Sequence, residues 1–208
     1  MFDSLIVQFV VLWAVIDPIG SIPVYLTKTV GLSVEERRKI ALKANLIAGG
    51  ILLFFLIFGQ IMLDAMQIPL TAFQIAGGLV LLLFALSMIF GEGKPEKELK
   101  LHTSLSELAV YPLAVPSIAS PGAMMAVVLL TDNHRFNLFE QTMTGVIMLS
   151  VLVITYLLFL AANNIQRVIG TTGAAVISRV MGLILAAVAV NNILLGIRDF
   201  FMPIVTNL

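Results

Sequence analysis

"WAVIDPIGSIPVYL", Trp13 to Leu26, begins as a membrane-crossing run and then interrupts itself. Its middle holds a carboxylate, Asp17, followed by Pro18, Gly20 and Pro23. Proline has no N–H, and its ring clashes with the carbonyl four residues back, here that of Ala14. In hydrocarbon a carbonyl without a donor is costly, so such a break is stable only inside protein or beside a wet cavity. Asp17 suits an N-cap and Pro18 suits the first position of a new helix. The stretch therefore predicts a span made of two half-helices. Gly20 lets backbone or ligand approach closely.

The rest of the chain supplies the membrane. Of 208 residues, 60% are apolar and only 12% charged, which excludes an ordinary soluble domain. Six runs are long enough to cross a hydrocarbon core of about 30 Å as helices. They cover roughly 4–28, 42–63, 70–91, 107–131, 140–162 and 174–200. They are continuous and not alternating, which excludes a β-barrel. The first has no basic leader or small-residue cleavage site, so it is expected to be a retained helix. The absence of cysteine removes disulfide and thiolate chemistry.

Cations set the expected orientation. Lys28, Arg37, Arg38, Lys39 and Lys43 fall between spans 1 and 2; Lys94, Lys97 and Lys100 between 3 and 4; Arg167 and Arg179 between 5 and 6. The opposite side has Arg135 and Arg198. Both termini are thus expected outside the cytoplasm.

The halves match at an offset of 104 residues. "IAGGLVLLLFA" (Ile75 to Ala85) lies over "RVMGLILAAVA" (Arg179 to Ala189), pairing Gly78 with Gly182. With a one-residue slip "DPIG" lies over "SPGA", pairing Pro18 with Pro121. Each half has an odd number of spans, so a true repeat is inverted, a recurring plan of secondary transporters. The expected fold is an all-α polytopic membrane protein with six transmembrane helices. It comprises two inverted-topology three-helix repeats, 1–91 and 107–208, joined by a cytoplasmic linker, 92–106. Helices 1 and 4 are broken mid-membrane.

The breaks define the candidate site. Free N–H groups are expected around Ile19–Ser21 and Gly122–Met124, each terminus acting like about half a positive charge and attracting an anion. Free carbonyls near Trp13–Ile16 and Ser117–Ala119 suit a cation or an ammonium group. Together they suit a small zwitterion. Asp17 is the only acid deep in a span; it either caps its half-helix or carries a proton or meets a substrate ammonium. Asn191 and Asn192 are candidates for coupling or cavity lining. Asn45, Gln60, Thr71 and Gln74 read as interhelical or interfacial polar groups. No H-E-x-x-H, G-x-S-x-G or P-loop pattern occurs, so no catalytic residue, metal ligand or cofactor is assigned, and the chain is not expected to be an enzyme.

"DPIGSIPVY", "PLAVPSIASPGAMMAV" (Pro112 to Val127), "RVMGLIL" (Arg179 to Leu185) and "GIRDFF" (Gly196 to Phe201) together resemble the MarC family, which includes SnatA-type small neutral amino-acid transporters. The resemblance covers essentially the whole chain. It implies six helices in two inverted repeats, within the wider superfamily of LysE-like exporters. It also implies binding of glycine or alanine around Asp17, Pro18, Ile19 and Gly20, and around Ser120, Pro121, Gly122 and Ala123. Many relatives carry Asn at the position of Asp17 and Gly at that of Ser120.

The expected function is secondary transport of small neutral amino acids (the glycine, alanine and serine class) by alternating access. Coupling to H⁺ or Na⁺ is expected, in a bacterial inner or archaeal plasma membrane. Ser21 and Met124 complete the substrate-binding set. An ion channel or exchanger, and a membrane scaffold or regulator whose prolines only shape packing, are the competing readings.

Overall fold

A computed structural model describes residues 2–90, 104–133 and 136–201. Most of the expected linker, with Lys94, Lys97, Lys100 and His102, lies outside the described residues, as do His134 and Arg135. In chain order the elements are α1 (Phe2–Ile16), α2 (Ser21–Lys28), α3 (Val34–Ala65), α4 (Leu70–Phe90) and α5 (Leu105–Leu108). A wide-turned segment (Ala109–Ile118), α6 (Pro121–Leu130) and α7 (Leu138–Phe201) follow. All regular structure among the described residues is helical.

Five stretches are long and apolar enough to cross a membrane: Leu5–Lys28, Val34–Ala65, Leu70–Phe90, Leu138–Ile165 and Arg179–Phe201. Leu105–Ile118 and Pro121–Leu130, bent by 55°, make a sixth if counted as one span. The last two spans share α7, which turns at Gly170 with φ +70° and ψ 175°, a conformation glycine adopts without steric cost.

Local signals explain where the helices begin and end. Ser33 and Glu36 form a reciprocal capping box at the start of α3, the Ser33 N–H donating to Glu36 Oε2 at 2.9 Å. Asn137 and Glu140 repeat the arrangement before α7, with both bonds at 3.0 Å. These pairs are 104 residues apart in sequence. The two short helices after the breaks also end alike. Thr29 closes α2 with its hydroxyl on the Tyr25 carbonyl, and Thr131 closes α6 with its hydroxyl on Val127, each at 2.8 Å.

The segment before the second break departs from the expected α-helix. Tyr111 and Val115, with φ/ψ near −127°/126° and −128°/129°, are extended, and each precedes a proline. Proline pushes its predecessor out of the helical region. Pro112 and Pro116 also withhold N–H groups, so the backbone widens until the Ala119 N–H reaches the Ala114 carbonyl at 2.8 Å.

Packing depends on small residues, as in membrane bundles. A Cβ at Gly78 would lie 3.1 Å from the Ala189 carbonyl and 2.7 Å from Ile193 Cγ1. One at Gly182 would lie 2.9 Å from the Ala85 carbonyl and 3.0 Å from Ile89 Cγ1. Each member of the first set lies 104 residues from its counterpart in the second. Thus α4 and the last span of α7 meet through a self-complementary contact, of the kind a two-fold axis generates. Large apolar side chains such as Phe54, Leu83 and Leu183 remain exposed on the outside, where lipid replaces water.

Candidate functional site

The two breaks meet inside the bundle. The Ser120 hydroxyl donates to the Val15 carbonyl at 2.9 Å, tying the second break to the end of α1. The Ser21 hydroxyl donates to the Ser117 carbonyl at 3.3 Å, and the Ser117 hydroxyl donates to Ser21 Oγ at 3.0 Å. Asp17, Ser21, Ser117 and Ser120 are all buried, at 2, 2, 7 and 1% exposure. A cluster of this polarity in the core demands such mutual hydrogen bonding.

Each break is built the same way locally. The Gly20 N–H donates to Asp17 Oδ1 at 3.0 Å, and the Ala123 N–H donates to Ser120 Oγ at 3.0 Å. The Ser21 N–H reaches the Asp17 carbonyl at 3.1 Å, and the Met124 N–H reaches the Ser120 carbonyl at 2.9 Å. Asp17 and Ser120 are thus equivalent caps.

Their backbones differ. Ser120 has the extended conformation of an ordinary N-cap, with Pro121 at the first helical position. Asp17 has φ +48°. The reason lies on its N-terminal side. The Asp17 N–H still donates to the Trp13 carbonyl at 3.0 Å, the bond that closes a helix whose next residue is left-handed. Asp17 therefore ends α1 and caps the following turn at once. The expected helix start at Pro18 is corrected: regular α-helix resumes at Ser21, after a turn over 18–20. Pro18 is buried, and Ile19 and Pro121 are partly exposed.

The expected run of free amides is also corrected. Gly20, Ser21, Ala123 and Met124 are engaged as above, and the Ile22 N–H donates to the Ile19 carbonyl at 3.1 Å. The amides of Ile19 and Gly122, at the equivalent place in each break, have no partner among the described residues. Of the expected carbonyls, those of Trp13, Val15 and Ser117 accept hydrogen bonds.

Ser117 and Tyr25 join this region without having been singled out as site residues. Ser117 was legible only as the carbonyl disrupted by Pro121. The Tyr25 ring stacks on Phe159 at 4.6 Å, and its hydroxyl donates to the Arg37 carbonyl at 3.1 Å. Arg37 Nη1 reaches Asn163 Oδ1 at 3.0 Å, connecting α3 to α7. Toward the other end of α3, Gln60 bonds to Asp132 (3.4 Å) and to the Asn133 N–H (2.8 Å), an interhelical role as expected. Asn45 does otherwise: its amide donates to Ala41 of its own helix at 3.0 Å. Gln74 is buried on α4, Thr71 is half-buried, Asn191 is exposed and Asn192 half-buried on the last span.

An all-helical chain with several apolar spans, an apolar exterior and a buried polar junction between broken segments defines a polytopic integral membrane protein. Comparison with known proteins gives its family: residues 2–201 match the MarC family of integral membrane proteins, and the chain belongs to that family. A UPF0056 membrane protein of Methanocaldococcus jannaschii is 36% identical over 196 residues, covering 93% of this chain and 95% of its own. The YvbG membrane protein of Bacillus subtilis is 33% identical over 213 residues, covering all of both chains. The YhcE membrane protein of Escherichia coli is 34% identical over 198 residues, covering 93% of this chain and 91% of its own. No solved structure matches.

Proposed function

We propose that the protein is a secondary transporter of small neutral amino acids, of the glycine, alanine and serine class, working by alternating access between two inverted three-helix repeats. The reading rests on one observation above the others: two equivalently capped interruptions hydrogen-bonded to each other in the buried centre of the bundle. The matching capping boxes, the paired threonine ends and the self-complementary glycine contacts support the inverted repeat. Discontinuous helices at a repeat interface are where secondary transporters hold substrate.

The chemistry at the junction suits a zwitterion. The Ile19 and Gly122 amides offer donors to a carboxylate. Asp17 and the carbonyls beside the breaks offer acceptors to an ammonium group. The Ser120–Val15 and Ser21–Ser117 bonds tie the halves together, so admitting a solute means exchanging them for bonds to it. Those bonds belong to a closed conformation, and rocking one repeat against the other opens either face. The cation distribution supports a topology with both termini outside the cytoplasm, and the membrane is read as a bacterial inner or archaeal plasma membrane. Coupling to H⁺ or Na⁺ drives the cycle, with Asp17 the group to carry it.

The test is a thermal-shift screen of the purified protein against the standard amino acids, followed by flux in proteoliposomes. Stabilisation and flux confined to glycine, alanine and serine uphold the reading. Ion flux indifferent to amino acids would replace it with a channel. No stabilisation and no flux would leave a scaffold.

A further inference from the structure

Among the described residues, two buried side-chain polar atoms lack a hydrogen-bond partner: Arg37 Nε and Asn45 Oδ1. Asn45 is 8% exposed, and its Nδ2 donates to the Ala41 carbonyl at 3.0 Å. That bond fixes which way the amide points, because a carbonyl can be met only by the NH₂ end. What is left over is an acceptor, held in the core with nothing to accept. A native fold rarely keeps such a group without a use for it.

The surroundings restrict that use. Asn45 lies on the core-facing stripe of α3 with Ala41, Ala44 and Ala48, each 0% exposed, and Gly49, which is also buried. Asn45 stands eleven residues beyond Val34, and Asp17 stands twelve before Thr29. At about 1.5 Å per helical residue, Asn45 is about 17 Å along α3 from the Thr29–Ser33 turn, and the eight residues of α2 cover about 12 Å before the break over 17–20 is reached. Asn45 therefore sits at the depth of the first break. Elsewhere along its length α3 also packs on the wide-turned segment and α6, which carry the second break.

We propose that Asn45 is a substrate-contacting residue whose Oδ1 accepts an N–H from the amino group of the transported amino acid. This deepens the transport reading and rests on it.

The test uses the full chain in detergent, with glycine as probe and acetate, which keeps the carboxylate and has no donor in place of the ammonium, as control. Variants are Asn45→Leu, which keeps the volume and removes the acceptor, and Asn45→Asp, which keeps the acceptor. Asn45→Leu is expected to bind glycine about 10- to 100-fold more weakly and acetate unchanged. Its melting temperature without ligand should equal or exceed that of the wild type, because an orphaned buried acceptor has been removed. Asn45→Asp should bind glycine as tightly as the wild type or more so. Unchanged glycine affinity in Asn45→Leu, parallel weakening of both ligands, or a lower unliganded melting temperature would each overturn the assignment. Failure of the wild type itself to bind any amino acid would overturn the transport reading, and this one with it.

Discussion

Gly20 is the most exacting position in the first break, and the reason is a single contact. Its backbone is ordinary right-handed helix, φ −66° and ψ −19°, where alanine is at ease. A Cβ there, however, would lie 1.9 Å from Asp17 Oδ2 and 2.6 Å from Asp17 Cγ. The carboxylate cannot retreat freely: it is buried, and Oδ1 holds the Gly20 N–H at 3.0 Å. Gly20→Ala must therefore break that bond and displace the acid. A hydrogen bond to a charged group contributes about 1.5–3 kcal/mol, and overpacking costs about 1–3 kcal/mol. The expected loss is about 3–5 kcal/mol. The cause is isolated by repeating the substitution in an Asp17→Gly background, which removes the carboxylate and accepts φ +48° readily. There Gly20→Ala should cost less than about 1 kcal/mol, giving a coupling of about 2–4 kcal/mol between the sites. Trp13, the only tryptophan in the chain, accepts the Asp17 N–H at this same junction through its carbonyl and reports unfolding by fluorescence in a denaturing-detergent titration. Equal cost of Gly20→Ala in both backgrounds would refute the account.

Asp17→Asn should keep the fold within about 1 kcal/mol, since the amide oxygen can hold the Gly20 N–H and asparagine tolerates the left-handed region. Asp17→Ala should lose about 2–3 kcal/mol, from the missing cap and the left-handed strain together; thermal melts compare the two. If Asp17 carries the coupling proton, Asp17→Asn retains glycine binding but loses accumulation against a gradient in proteoliposomes. Ser120→Ala removes bonds to Val15 and Ala123 and should cost about 2 kcal/mol by the same melts. Gly78→Ala and Gly182→Ala press on backbone carbonyls that cannot step aside and should each cost about 1–3 kcal/mol, by equal amounts. Gly122→Ala meets the Leu81 side chain, Cδ1 first and Cγ at 3.2 Å, and no backbone atom, and should cost less than either.

The fold was legible wherever a single residue dictates the outcome. Apolar runs located the spans, and the prolines at 18 and 121 located the breaks, because a missing N–H cannot be restored by any context. The pairing of Gly78 with Gly182 pointed to a contact that the structure makes symmetric. What was not legible depended on two residues acting together. Pro112 and Pro116 lie four apart, and their joint effect is a segment too wide for an α-helix, whereas each alone reads as a kink. Asp17 read as an N-cap because its own preference is for one. That it also terminates α1 in a left-handed conformation is set by the Trp13 carbonyl behind it. Ser117 is legible in the sequence only for its carbonyl; the use of its hydroxyl, which donates to Ser21, is set by the neighbouring break. The capping boxes at Ser33 and Asn137 sit in the sequence at the same offset as the glycines, but serine and asparagine look alike only through the bond they make.

The two breaks keep a common local geometry under different residues. The two breaks share no residue except proline within their four central positions, yet the same amides meet the same kinds of oxygen at the same spacing. What the fold needs at the cap is an acceptor three residues before a particular N–H, and a carboxylate or a hydroxyl meets that need equally. The choice between them is then free to serve something else. A hydroxyl can donate as well as accept, and Ser120 uses its proton to hold Val15 in the opposite half. An ionised carboxylate has no proton to give, so Asp17 makes no such link while ionised, and its second oxygen lies on the Gly20 side, where only the absence of a Cβ leaves it room. Among the described residues, the two caps thus bring one carboxylate, that of Asp17, to the junction of the breaks. If the proposed transport reading holds, a zwitterion between the breaks binds more favourably in one orientation, with its ammonium group on the side that carries Asp17.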